Sequence, residues 1–536
     1  MTHSLIFPSN GPKSYRFTRL LLNRQVTAFE HSLVHPEMAQ KKVLSSILRG
    51  VRGTASAEHH GLNNIRTLME YRSAIPIQSY EDIKPLIDRI LNGESRILSN
   101  EKIQGFVETS GTQSVPKLIP ISKSWATQVR QAQLLWMLGV LRDFPSISKR
   151  DVFHIVSSAE ERKVSGFSVG ANTGRMVDAL PKSIQKRFVL RGLPEFEDTN
   201  LRHYVHLRFA LQHAVGLWLT ANPSTIALYC RKLIAYREAL LQDLSQGTLR
   251  CGPAQNLSES VRLELEHRLY KVSTPLGHKP SEIWPLSVVG CWTGGPAKWF
   301  VDQFSTMLGG HVAVRDVGIT ASEGYFAIPL SSDWDGGVLW NHGELLEFQS
   351  ADGQCHWGWE LEEGKEYKLI ISARNGLLRY AMNDTIRVTG YIGNTPIVVF
   401  VGKSGRYLNS VGEKVTEEQL SSAMELLSGD IIGFTGSIQY GEVPNIIVAI
   451  EWNTGTRDVS SIATKLDDRL QDVSIEYRSK RESQRMSPLQ VCRLTEGAYE
   501  AFRNWRTSNG ASHAQVKDCI VATEKEWSHL TKYRVN

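Results

Sequence analysis

From residue 284 onward, short apolar runs alternate with helix-length segments, and this alternation limits the fold more than any other feature of the chain. Residues 286–290 read as a strand, Trp292-Thr293-Gly294-Gly295-Pro296 as a turn and residues 297–308 as a helix. Residues 312–317 read as a second strand, followed by Gly318-Ile319-Thr320-Ala321-Ser322-Glu323. Strand, helix and strand in succession build a parallel sheet covered by helices. Loops at the carboxyl ends of such strands are a favoured place for a ligand. Both polar segments lie at such ends.

Upstream, residues 17–100 read as mostly helical, with Leu20, Leu21, Val26, Phe29, Val43, Ile47 and Leu48 at helix-like intervals. Ser79 can cap a helix with Asp82 three positions on, Pro85 falls in its first turns, and Asn92-Gly93 stops it. Residues 105–121 read as strand, polar glycine turn, strand, and residues 123–141 as a long helix. Residues 152–156 form a short apolar run expected to be a buried strand. Residues 159–176 read as loop and 195–250 as helix. Strand-sized segments recur at 345–348, 367–371, 385–391 and 397–401. Gly402-Lys403-Ser404-Gly405 is a candidate linker, and beyond it strands (446–450) and helices (460–470) alternate as in a small α/β domain.

Composition removes whole classes of answer. With 536 residues, 41% apolar and 22% charged, the chain is an ordinary globular protein of several units, not a disordered or fibrous one. Six cysteines without a CxxC pair argue against a disulfide framework and a cysteine-rich zinc site. No signal-peptide h-region and no run of about 18 apolar residues is present, so a cytoplasmic protein with no membrane partner is expected. The net charge of +6 is too small and too dispersed to point to nucleic acid.

Several segments carry residues suited to chemistry, each with a plainer alternative. Thr109-Ser110-Gly111-Thr112-Gln113-Ser114-Val115-Pro116-Lys117 gathers hydroxyls, a glycine and a lysine, a set that suits phosphate oxygens. It lacks the Walker spacing, and alone it would be an ordinary hairpin turn. Glu323 could hold Mg²⁺ beside phosphates, while Thr320 or Ser322 could simply cap a helix. Gly294 and Gly295 allow a close approach to a ring or phosphate, yet a tight turn alone would explain them. Asp384 could accept both hydroxyls of a ribose or cap a turn. Lys403, Lys414 and Lys517 read as solvated surface when taken singly. His203 and His206, at i and i+3, have no third metal ligand nearby and read as a helix face. The cluster Arg478, Lys480, Arg481, Arg485 reads as a solvated strand or loop edge, and Trp357 and Trp359 as packing aromatics.

Taken in order, these segments resemble one family. Thr109-Ser110-Gly111-Thr112 through Lys117 and Pro120 is similar to S-S-G-T-x-x-G-x-x-K-x-x-P, Ile319-Thr320-Ala321-Ser322-Glu323 to Y-x-S-S-E, and Tyr380-Ala381-Met382-Asn383-Asp384 through Tyr391 to Y-R-x-G-D-x-x-x-V-T-G-F. These are patterns of adenylate-forming enzymes. The stretch Pro76 to Ser99, and Gly497 to Glu500 followed by Gly510 to Lys517, narrow the resemblance to the plant auxin-responsive acyl acid amido synthetases and their bacterial relatives.

The resemblance implies an α/β fold: a large N-terminal adenylating domain with mixed and parallel sheets covered by helices (residues 1–401), then a small mobile C-terminal α/β domain (402–536). It implies ATP and Mg²⁺, a carboxylic acid substrate, an amino acid or other amine as acceptor, and a monomer. Thr109, Ser110, Gly111, Thr112 and Lys117 would meet the phosphates, and Glu323 the magnesium. Gly294, Gly295, Thr320, Ala321 and Ser322 would line the adenine and α-phosphate region. Asp384 would hold the ribose. Lys403, Lys414 and Lys517 would reach the nucleotide from the hinge and the small domain. Leu135, Trp136, Phe167 and Val169 are candidates for the acid pocket, and each could equally be core. The chain departs from the pattern at Thr109, at Ser114-Val115-Pro116, at Ile319, Ala381 and Asn383, and at Trp136, where some members carry an arginine. Two other functions compete: acyl transfer to a thiol such as coenzyme A or a carrier protein, and nucleotide binding without catalysis.

Overall fold

The structure is a computed structural model that describes residues 5–109, 117–156, 160–171, 174–175, 177, 180–272, 276–295, 297–403, 407–411, 413–441, 443–453, 458–482, 485–508 and 518–535. The expected parallel sheet is present. Its four strands run in the order Asp151–His154, Val215–Leu219, Val288–Cys291, Ala313–Asp316, all parallel. The helix Ala297–Leu308 makes the crossover between the last two.

Two expectations fail here. Val215–Leu219 interrupts a span read as helix, because all five residues are buried and a central parallel strand shows no alternation. The span 159–176, read as loop, contains the hairpin Arg162–Val164 and Phe167–Gly170. Ser165 (φ 49°) and Gly166 (φ 83°) form its two-residue turn. Positive φ at both positions is what a hairpin with the native strand twist requires.

That hairpin completes a second four-stranded sheet in which Lys117–Ile121 pairs antiparallel with Gly105–Thr109, and Gly105–Thr109 runs parallel to Phe167–Gly170. A third, antiparallel sheet has eight strands: Cys355–Trp357, Leu345–Gln349, Glu366–Ser372, Tyr380–Ile392, Thr395–Lys403, Gly337–Leu339, Gly324–Ile328 and Ile319–Ala321. Thus Thr320 and Ser322 cap no helix; they lie in and just after an edge strand that turns back into Gly324–Ile328.

The early helices cover this frame. Ser79 and Asp82 close a capping box on the helix Tyr80–Leu91, whose Tyr80, Ile83, Ile87 and Ile90 are buried at helical spacing. One apolar cluster joins Ile83, Phe106, Ile119, Trp125 and Leu135 to Ile328, Phe348 and Val388, so two of the sheets and the long helix Lys123–Asp143 share a core.

After residue 403 the chain forms a ribbon, Tyr407–Leu408 with Val415–Thr416, and a three-stranded sheet, Ile431–Gln439, Asn445–Trp452 and Gln490–Arg493. This sheet packs Phe434, Val448 and Ile450 against Leu420, Met424, Leu466 and Leu470. Phe300 joins the same cluster, Lys232 pairs with Glu500 at 3.0 Å and Arg387 with Glu418 at 3.0 Å. The cluster at 478–485, read as a strand or loop edge, falls largely on the helix Ile475–Glu482, where Arg481 is bound to buried Asp467. His203 is buried on the helix Thr199–Ala210, as a helix face, and Trp357 and Trp359 stack at 5.8 Å. All six cysteines are free thiols.

Candidate active site

The glycine turn after Val288–Cys291 and the loop after Ala313–Asp316 are tied together by Asp316. Its carboxylate accepts from Thr293 Oγ1 (2.7 Å) and from the amide of Gly318 (2.7 Å). Burial pushes this carboxyl up, and the two hydrogen bonds oppose the shift. Gly294 and Gly295 have a structural reason to be glycine. A Cβ at Gly295 (φ 57°) would lie 2.6 Å from the carbonyl oxygen of Val401, and one at Gly294 3.0 Å from that of Phe400. The turn therefore rests directly on the main chain of Thr395–Lys403. Beside it opens a cavity of about 470 Å³, lined by Gly294, Gly295, Asp316 and Phe400, and by Glu418 and Ser421 from the helix Glu417–Met424.

The segment 110–116, with Ser110, Gly111 and Thr112, lies outside the described residues. Its two ends are fixed: Thr109 and Lys117 face each other across the ladder. Tyr80 holds the second end. Its hydroxyl accepts from the amide of Leu118 (2.9 Å), and the Lys117 ammonium stands 5.3 Å from the centre of its ring. An ammonium at that distance is attracted by the ring face.

Two further segments converge on this hairpin. Ser322 Oγ donates to the carbonyl of Glu108 (3.4 Å), and Trp125 Nε1 donates to the carbonyl of Glu323 (2.8 Å). The turn that carries the buried Glu323 is thereby pinned both to the strand that ends in Thr109 and to the start of the long helix. The strand Tyr380–Ile392 brings Asp384, also buried and paired in register with Lys403. Burial raises the Tyr380 hydroxyl, and the carboxylates of Glu323, Glu81 and Asp384 push it the same way. Tyr380 bridges to Gln78, and Tyr80, two residues on, holds Leu118 of the hairpin, so the three segments are neighbours. Asn383 has φ 58° at a register shift in the strand. Asparagine tolerates that left-handed conformation, so it keeps the backbone that glycine serves in the family pattern.

The anchor of this strand was not visible in the sequence. Arg379 makes a two-pronged pair with buried Glu347 (2.9 and 3.0 Å) and donates to the carbonyl of Ile75 (2.7 Å). Arg72 binds the same carboxylate at 2.9 Å. The amide of Gln78 donates to the carbonyl of Arg379, and that of Ala381 to the carbonyl of Gln78, both at 2.9 Å. The partners are far apart in the chain, and no local pattern announces them.

The acid-pocket candidates separate. Leu135 and Val169 are fully buried members of the shared core. Phe167 is half-buried and meets Phe106 edge-on at 5.4 Å. Trp136 differs from all three. Its Nε1 donates to the carbonyl of Asp316 (2.7 Å), and its ring is what a Cβ at Gly290 would meet at 3.2 Å. It therefore lies beneath the two strand ends that carry the glycine turn and Asp316.

Lys403 ends its strand beside Asp384. Lys414 is exposed, with φ 39°, between the two strands of the ribbon. Lys517 lies outside the described residues. Among the described residues there is no group of three or more His, Cys, Asp or Glu side chains that could hold a metal, and no helix is long and apolar enough to cross a membrane.

The chain matches the GH3 family N-terminal domain over residues 25–313, the GH3 family central domain over 343–403 and the GH3 family C-terminal domain over 416–526. It belongs to the GH3 family. Relatives of this GH3 chain include the indole-3-acetic acid-amido synthetase GH3.4 of Arabidopsis thaliana, 25% identical, with 91% of this chain and 90% of that protein covered. Another is the jasmonoyl–L-amino acid synthetase JAR6 of Nicotiana attenuata, 24% identical over 89% and 90% of the two chains. The fold is that of the AtGH3.15 acyl acid amido synthetase, solved in complex with 2,4-DB (TM-score 0.83, 18% identity, 96% of each chain). It also resembles 2-hydroxyisobutyryl-CoA ligase, solved in the postadenylation state in complex with R3-HIB-AMP (TM-score 0.54, 12% identity, 97% and 92% covered). The GH3 chain therefore shares its fold with an acyl acid amido synthetase and, more distantly, with a CoA ligase.

Proposed function

We propose that the protein is an ATP-dependent acyl acid amido synthetase. A carboxylate oxygen of the acid attacks the α-phosphorus of ATP, and pyrophosphate leaves. The amine of an amino acid then attacks the acyl carbon, loses a proton, and AMP departs with the bonding pair. The observation that carries this reading is the convergence of three separated segments, the 105–121 hairpin, the Ser322-Glu323 turn and the strand with Asp384, in a chain that matches amido synthetases over nine-tenths of its length.

A carboxylate alone is a poor acyl donor, because its leaving group would be oxide. Activation needs charge neutralisation and alignment, and no protein nucleophile. In this reading Lys117, steadied by Tyr80, and the 109–112 loop meet the phosphates. Asp384 accepts the ribose hydroxyls. Gly294, Gly295, Thr320, Ala321 and Ser322 border the base and α-phosphate. Glu323 suits Mg²⁺, which is commonly held by one or two carboxylates together with substrate phosphates and water. Bound Mg²⁺ would neutralise phosphate charge. Residues 1–401 would form the adenylating domain, and 402–536 a small mobile domain that brings Lys414 or Lys517 to the nucleotide.

The test is pyrophosphate release from ATP and Mg²⁺ over a panel of carboxylic acids, with and without a mixture of amino acids. Release that requires an acid and rises with amino acids, with an amide product, is expected. Acid-dependent release that yields a thioester with coenzyme A and no amide would overturn the proposal.

A further inference from the structure

The helix Lys13–Leu21 presents Phe17, Leu20 and Leu21 to solvent at 65%, 71% and 66% exposure. Their i, i+3, i+4 spacing puts them on one face. The opposite side holds the helix to the body. Tyr15 is fully buried and donates to the carbonyl of Pro8 (2.8 Å), and Arg19 Nε donates to that of Phe7 (2.7 Å). The outward apolar stripe thus has no part in the core. Lys13, four residues before Phe17, and Arg16, four before Leu20, are exposed on the same side, and Arg24 is exposed on the following helix, Asn23–Val34. The first 29 residues contain no Asp or Glu. The first acid, Glu30, is engaged with the amides of Ile6 (3.2 Å) and Phe7 (2.9 Å).

We propose that this helix is a docking surface for an anionic lipid membrane, on which the protein lies without spanning it. An apolar stripe bordered by basic side chains is what an interfacial helix needs: the stripe enters the headgroup boundary and the cations meet acidic lipids. Charge decides against a second copy. A twofold contact through this face would set Lys13, Arg16 and Arg24 of one copy against the same residues of the other, with no acid in the segment to answer them. The expectation of no membrane partner rested on the lack of a spanning segment, a criterion that is silent on a helix lying in the interface.

The test is cosedimentation of the full chain with vesicles of phosphatidylcholine alone and of phosphatidylcholine with phosphatidylserine. Binding to the phosphatidylserine vesicles, weakened by salt, is expected. Lys13→Ala and Arg16→Ala should each lower affinity about fivefold, and Phe17→Ser about tenfold. These positions are exposed, so unfolding midpoints and pyrophosphate release in solution should stay at wild-type values. Failure to sediment with anionic vesicles, or equal sedimentation with neutral ones, would overturn the proposal. So would a dimer in solution that Phe17→Ser dissociates, because the face would then belong to a second copy.

Discussion

The residues proposed for the nucleotide and those that were candidates for the acid pocket are built into the molecule differently. Glu323 stands at a turn, Lys117 at a strand end and Asp384 within a strand, each fixed by a main-chain hydrogen bond, a ladder register or a neighbouring ring. Leu135 and Val169 are fully buried side chains within a core cluster. Changes on the first side should therefore affect catalysis with little loss of stability, and changes on the second should do the reverse.

The largest effect expected is at the anchor beneath the nucleotide side. Glu347→Ala would leave Arg379 buried and uncompensated and should cost about 3–5 kcal/mol, read as an unfolding midpoint in urea. A loss below 1 kcal/mol would mean that the strand before Asp384 is held by something else. Next, Glu323→Gln preserves shape and removes charge, and should slow adenylation about 10²–10³-fold with a nearly unchanged melting temperature. Leu135→Ala should cost about 2–5 kcal/mol yet leave turnover per folded molecule close to wild type. If Leu135→Ala instead changes acid preference at full stability, the division between the two sides fails.

Trp136→Phe gives the sharpest test of the border, since Trp136 shares a core cluster with Leu135 and Val169 and also donates to Asp316. Loss of its hydrogen bond should cost about 1 kcal/mol. The preference among acids should change while the KM for ATP does not. An unchanged preference would make it a core residue. The smallest effect is at Asn383, where alanine should cost about 1 kcal/mol because of the positive φ, and glycine should be nearly neutral.

Much of this was readable from local pattern. The helix over 297–308 and the strands around it follow from alternation, and the capping box at Ser79 from spacing alone. The motif segments were also readable, because each is a short run of special residue types. What escaped was non-local. Val215–Leu219 looks apolar in the same way as the helices beside it, and only its place in the sheet centre makes it a strand. Ser165-Gly166 reads equally as loop or as hairpin turn until its flanks pair. Arg481 looked solvated because its partner, Asp467, lies on another helix. Leu20 and Leu21 fit a helix by interval, but the interval does not say which face would be covered. For the same reason four apolar candidates for the acid pocket could not be told from core.

The central claim is that the acid is activated by attack of its own oxygen on the α-phosphorus. Turnover with a carboxylic acid labelled with ¹⁸O in both oxygens tests it directly. One labelled oxygen should appear in AMP and the other in the amide carbonyl. Label in pyrophosphate or inorganic phosphate, with none in AMP, would contradict the account.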